Sequence, residues 1–211
     1  MVEVQNVTKS FKKKVVLEDV SAYFGEGMIH GIIGRNGSGK TVLLKCICGF
    51  LSVDRGGITV DGRKVRHSTP QDIGIILETP GFIQNKSGYH NLKMLASIRG
   101  KIGKTELRDV MEKVGLDADE KKAVRKYSLG MRQRLAIAQA IMESPKLLLL
   151  DEPMNGLDKT GVQEIRKILL ELKEEGITII MASHYVEDID VLCDTVWEME
   201  QGSIDKVMGK T

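Results

Sequence analysis

The sequence predicts an α/β fold with a mostly parallel central sheet and a helical lobe set into it. Three observations point there. The runs LLLL (147–150) and ITIIM (177–181) are continuously apolar, which suits central parallel strands covered on both faces. Between them lies one long helical pattern, 159–175, with Val162, Ile165, Ile168, Leu169 and Leu172 on one face, the layout of a right-handed βαβ unit. The stretch 82–143 is helical in pattern, rich in Lys and Arg, and lacks a buried-strand signal. It reads as an inserted lobe, leaving 1–81 and 144–211 as the α/β core of a single domain.

Strands are expected at 2–8, 15–24, 28–33, 57–61, 73–77, 147–150, 177–181 and 195–199, mostly short β-branched runs bounded by Gly, Asp or Pro. Helices are expected at 39–50, 88–99, 104–115, 130–143, 159–175 and 185–192. Composition agrees with a folded domain: 42% of the 211 residues are apolar and 28% charged. A chain of this length buries roughly 70% of its unfolded surface. The balance of 31 Lys+Arg against 29 Asp+Glu, a net charge of +2, argues against a dedicated nucleic-acid binder. No apolar run approaches ~18 residues, so no bilayer-spanning segment is expected. The start, MVEVQNVTKSF, alternates like a strand and does not read as a signal peptide. Cys46, Cys48 and Cys193 form no C-x-x-C pair and cannot all pair among themselves, so a reduced, cytosolic chain is expected.

After the strand MIHGII comes G-R-N-G-S-G-K-T, Gly34 to Thr41, followed by an apolar helix. This fits G-x-x-x-x-G-K-[ST] in its required strand–loop–helix context. Glycines let the backbone curl so that successive N–H groups point inward, and the helix N-terminus completes an anion cradle. Gly34, Arg35, Asn36, Gly37, Ser38, Gly39, Lys40 and Thr41, with Val42 behind them, are therefore the candidate nucleotide contacts. Lys40 is placed to reach the β- and γ-phosphates, and the Thr41 hydroxyl to ligate Mg²⁺. The expectation is a P-loop NTPase core.

A second element, LLLLDEP (147–153), ends an apolar strand in Asp151 at the carboxyl edge of the sheet. There it can hold Mg²⁺, usually through a water. Glu152 follows directly and can act as general base for an attacking water.

Together with Y-S-L-G-M-R-Q-R, Tyr127 to Arg134, these motifs resemble the nucleotide-binding subunit of ABC transporters. Ser128, Gly130, Gln133 and Arg134 match the family signature L-S-G-G-Q-x-Q-R, whereas Tyr127, Leu129 and Met131 depart from it. The resemblance implies an N-terminal antiparallel β subdomain, ATP and Mg²⁺ as ligands, and Ser128 and Gly130 contacting the γ-phosphate held by a second copy. It implies further that Asp158, in NGLD, lies near the shared interface. It makes His184, at the end of TIIMAS, the switch histidine on the γ-phosphate, and Phe11 an aromatic stacked on adenine. His30, His67 and His90 have no such context and read as structural.

The family's glutamine after the strand IGIIL is here Glu78, a further candidate metal ligand. With YSLGM, this pattern resembles bacitracin-resistance and lantibiotic-immunity exporters. The implied function is an ATPase motor that dimerises around ATP and drives a separate permease at the inner face of the membrane, with 80–100 lining the permease groove through Phe82, Ile83 and Tyr89. The alternative is a soluble ABC-type ATPase of translation or DNA repair, but such proteins generally carry two cassettes or a long coiled-coil insertion. A GTPase switch fits worse, since Asn85-Lys86-Ser87-Gly88 lacks the Asp that reads guanine.

Overall fold

A computed structural model describes residues 1–12, 14–67, 72–77 and 81–209. In chain order the elements are β1 (Val2–Phe11), β2 (Lys14–Phe24), β3 (Ile29–Ile33), α1 (Lys40–Ile47), β4 (Arg55–Val60), β5 (Arg63–Lys64) and β6 (Ile73–Ile76). Next come α2 (Gly88–Arg99), α3 (Lys104–Lys113), α4 (Leu129–Ile141), β7 (Leu147–Asp151), α5 (Lys159–Glu174), β8 (Thr178–Ala182), α6 (Val186–Leu192), β9 (Thr195–Glu200) and β10 (Ser203–Gly209). One sheet has the order β2-β1-β4-β5 and is antiparallel throughout. The other runs β10-β9-β3-β8-β7-β6, parallel except for the β10 edge. The α/β class expected from the sequence is the one observed.

The continuous apolar strands are explained by two cores, one on each face of the central sheet. Successive strand residues point to opposite faces. Leu147, Leu149, Ile180 and Ala182 join one core with Val4, Leu17 and Phe24 of the hairpin and Leu43, Leu44 and Ile47 of α1. Leu148, Leu150, Ile179 and Met181 join the other with Leu92, Met111, Leu135 and the Ile165, Ile168, Leu169 and Leu172 stripe of α5. Each fully buried leucine contributes about 1.5–3 kcal/mol, so neither face of β7 tolerates a polar residue.

Helix ends follow their caps. The Ser87 hydroxyl accepts from the His90 amide to start α2, and Gly100, at φ 62, ends it. Asp158 caps α5 by accepting from Gly161 N–H at 2.8 Å. α1 stops at Ile47, short of the expected 50, where Gly49 turns the chain at φ 77. Two strands were not anticipated. β5 has only two residues, and β10 is an edge strand whose one buried residue is Ile204.

His30 is structural, as read from the sequence. It is 1% exposed, with Nδ1 2.6 Å from Thr195 Oγ1 and Nε2 2.9 Å from the Gly25 carbonyl. Burial lowers its pKa below the ordinary value of 6.5. The unfolded chain therefore binds this proton more readily, and stability falls as pH drops below about 6.5. In urea titrations between pH 7.5 and 5, His30→Asn should flatten that fall; an unchanged slope would assign it elsewhere.

Candidate active site

The glycines of the Gly34–Thr41 loop hold conformations closed to other residues. Gly34 (φ 150) would place a Cβ 2.3 Å from the Met199 carbonyl oxygen, and Gly39 (φ 115) one 3.0 Å from that of Val16. Wedged between β2 and β9, the loop leads into α1, whose first residue is Lys40. Lys40 is 6% exposed, and its ammonium donates to the loop's own Gly34 carbonyl at 2.7 Å and the Arg35 carbonyl at 3.3 Å. Among the described residues it pairs with no carboxylate. The buried Ser38 hydroxyl has no hydrogen-bond partner among the described residues. A buried cation without an anion and an orphaned hydroxyl, beside inward-turned backbone, are what a phosphate group would satisfy.

The carboxyl ends of β7 and β8 bring in the rest. The Thr41 hydroxyl donates to Asp151 Oδ2 at 2.5 Å. Burial pushes the Asp151 carboxyl above the ordinary carboxylate range; Thr41 and Lys40 oppose the rise, and Glu152 adds to it. Glu152 sits at φ 51, a left-handed conformation costing a non-glycine residue about 1–3 kcal/mol. Its amide donates to the Ala182 carbonyl at 2.9 Å, and its Oε2 lies 2.7 Å from His184 Nδ1. The His184 ring in turn packs on that of the next residue, Tyr185, with centroids 4.0 Å apart. Lys40, Thr41, Asp151, Glu152 and His184 thus gather at one sheet edge. Arg35, Asn36, Gly37 and Val42 follow as parts of the same loop and helix.

Other expected residues lie apart. Ser128 caps α4, its hydroxyl accepting from Met131 N–H at 3.2 Å, with Gly130 in the first turn. No hydrogen bond joins either to the phosphate loop among the described residues. Leu129 packs toward Gly156 in the turn before Asp158, so the two candidate interface segments touch. Phe11 ends β1 and is 42% exposed. The expectation for Glu78 falls on 78–80, outside the described residues. Tyr127, the departure from the signature, is 4% exposed, and its hydroxyl accepts from Gly88 N–H at 3.2 Å, tying the approach to α4 onto the start of α2. Phe82 corrects an expectation: at 7% exposed it is a core side chain, because the chain turns inward there, and only Ile83 stays exposed.

Anion cradle and proton acceptor meet at the same edge of a parallel sheet, which places the chain among phosphate-loop nucleoside triphosphatases. Residues 17–155 match the family model described as "ABC transporter". The chain is 42% identical over 207 residues to YybJ of Bacillus subtilis (strain 168), an uncharacterized ABC transporter ATP-binding protein, covering 97% of this chain and 95% of that one. It is 39% identical to the bacitracin transport ATP-binding protein BcrA of Enterococcus faecalis, covering 97% of this chain and 68% of that protein. It is 38% identical to the lantibiotic transport ATP-binding protein SrtF of Streptococcus pyogenes, covering 97% and 89%. Among solved structures, cbiO1 from Clostridium perfringens, part of the ABC transporter complex cbiONQ, superposes with a TM-score of 0.87 at 28% identity, covering 97% of this chain and 86% of that one. The chain belongs to the ABC transporter family, as an ATP-binding subunit and an ATPase.

Proposed function

We propose that two copies of this chain close head to tail around two Mg·ATP and drive a separate membrane permease that exports a peptide antibiotic or similar toxic compound. The observation that carries the reading is the divided site: the loop, acid and histidine gather in one place, while the exposed α4 terminus at Ser128 and Gly130 makes no hydrogen bond to that place among the described residues of one chain. In the dimer, Ser128 and Gly130 of one copy face Lys40 of the other, with Asp158 near the seam and Phe11 stacked on adenine. Thr41 and Asp151 supply hard oxygens suited to Mg²⁺, which lowers the charge on the phosphates when bound. Phosphate oxygens and water would add to its shell, as is usual for Mg²⁺. Lys40 then holds the γ-phosphate, Glu152 takes the proton of the attacking water, and His184 keeps Glu152 in line.

Relatives described as bacitracin and lantibiotic transport proteins support this choice of cargo. No helix among the described residues is long and apolar enough to cross a membrane, and the proposal assigns the crossing to the permease. The region of 82–143 is the natural docking lobe. Backbone bonds from Val124 to Lys86 and from Arg125 to Gln84 stitch two of its loops together, and the stretches 83–99 and 121–134 hold no acidic residue. Among the described residues Lys86, Lys93, Lys121, Lys122, Arg125 and Lys126 make no ion pair, so the two stretches are cationic.

The dimer is the direct test. With Mg·ATP, Glu152→Gln should run at twice the monomer mass in light scattering, and adding Ser128→Arg should abolish that species. A monomer at high protein and ATP concentration would overturn the reading.

A further inference from the structure

We propose that Lys9 and Asp54 form a brace that sets Phe11 as the platform for the nucleotide base; the inference rests on the nucleotide reading above. Lys9 and Phe11 are two residues apart on β1 and so share a face. The Lys9 ammonium lies 5.5 Å from the centroid of the Phe11 ring, within cation–π range. Only 12% of the Lys9 side chain is exposed, and its ammonium donates to Asp54 Oδ1 at 3.0 Å. The other Asp54 oxygen accepts from Ser10 N–H at 2.6 Å, and the Asp54 amide donates to the Thr8 carbonyl at 2.9 Å. Asp54 therefore grips the backbone on both sides of Lys9, immediately before Phe11.

The same hairpin reaches the phosphates. Lys9 pairs with Leu17 across the β1–β2 ladder, and Leu17 with the Val16 carbonyl closes on Gly39 of the loop. A ring fixed at Phe11 is thus fixed relative to the triphosphate. Phe11 keeps 42% of its surface exposed, free to receive a second flat group.

The physical gain is preorganisation. An aromatic at the end of a strand samples several rotamers, and a base stacking on it must first order the ring. The attraction between the ammonium and the ring's negative face does that ordering beforehand. A lysine whose side chain is mostly covered is less favourable unless its ammonium is paired, and Asp54 supplies the pair. Base stacking on aromatics tolerates any base, so the brace should strengthen binding of nucleotides in general rather than select adenine. A brace that merely ties β1 to β4 would act on every ligand alike, which separates the two roles.

The experiment measures the affinity of the full chain for ATP and for inorganic tripolyphosphate, which has no base, by titration calorimetry. Lys9→Met and Asp54→Asn should each weaken ATP binding by about threefold to tenfold, the range of a partly desolvated cation–π contact, and leave tripolyphosphate binding unchanged. Lys9→Arg should restore most of the loss, and Phe11→Ala should lose ATP affinity without affecting tripolyphosphate. Parent-like ATP affinity in Lys9→Met, with a clear loss in Phe11→Ala, overturns the brace alone. Equal weakening of both ligands in Lys9→Met also overturns it, since that marks a structural tie. Parent-like ATP binding in Phe11→Ala removes the base platform, and the brace with it.

Discussion

Glu152→Gln is expected to bind Mg·ATP like the parent chain and to hydrolyse it about 10²–10⁴ times more slowly, the range supplied by a positioned general base. The two side chains have nearly the same shape, so the substitution leaves packing intact and removes only the ability to accept a proton. Position is already fixed by the backbone. The Glu152 amide is bound to the Ala182 carbonyl, and its own carbonyl accepts from Asn155 N–H at 3.1 Å, which holds the φ of 51 in place. A strained non-glycine residue at a sheet edge persists only where its surroundings over-determine it, and here they aim a carboxylate at His184. His184→Ala leaves the acid but frees its direction, so its loss should be smaller than that of Glu152→Gln. Single-turnover phosphate release at saturating ATP, with affinity measured separately, distinguishes the chemical step from binding. Turnover in Glu152→Gln equal to the parent would remove Glu152 as the base.

Most of this site was legible because its chemistry is written locally. The glycines at 34, 37 and 39 stand where φ is positive, and a Cβ would collide with a backbone oxygen at 34 and crowd one at 39, so the pattern of the loop is its geometry. Asp151, Glu152 and His184 end apolar strands, and parallel strands bring their carboxyl ends to one edge. Contacts made by sequence-distant loops were not legible. Nothing near Lys9 announces Asp54, and nothing near Tyr127 announces that its hydroxyl would take the Gly88 N–H. Phe82 was misread for a related reason: an apolar residue beside Gly81 looks like an exposed anchor until the helices that bury it are placed. In the fold, β1 ran past the expected residue 8 to Phe11, because bulges at Asn6 (φ 47) and opposite it at Asp19 (φ 52) interrupt the alternation. The exposed edge β10 carried too few buried positions to show a period.

Lys40→Met should weaken ATP binding by about ten- to a hundredfold, as expected for losing a hydrogen-bonded charge on an anionic ligand. Methionine fills nearly the same buried volume, so the fold should survive and the loss should be electrostatic. The side chain of Lys40 is enclosed, and among the described residues its ammonium hydrogen-bonds to the neutral carbonyls of Gly34 and Arg35 and to no carboxylate. Such a cation is under-compensated until an anion arrives, which makes its interaction with phosphate stronger than that of a surface lysine. Lys40→Arg should not rescue. A guanidinium is a wide planar fork, whereas this seat is cut for a point charge between two carbonyl oxygens of one tight loop. Turnover should fall further than binding in both variants, because charge on the transferring phosphoryl oxygens is stabilised from the same position. Equilibrium dialysis with labelled ATP, alongside a thermal-unfolding check that the fold persists, gives the decisive comparison. Parent-like affinity in a folded Lys40→Met chain would mean that the loop amides alone hold the phosphates and that Lys40 serves only to shape the loop.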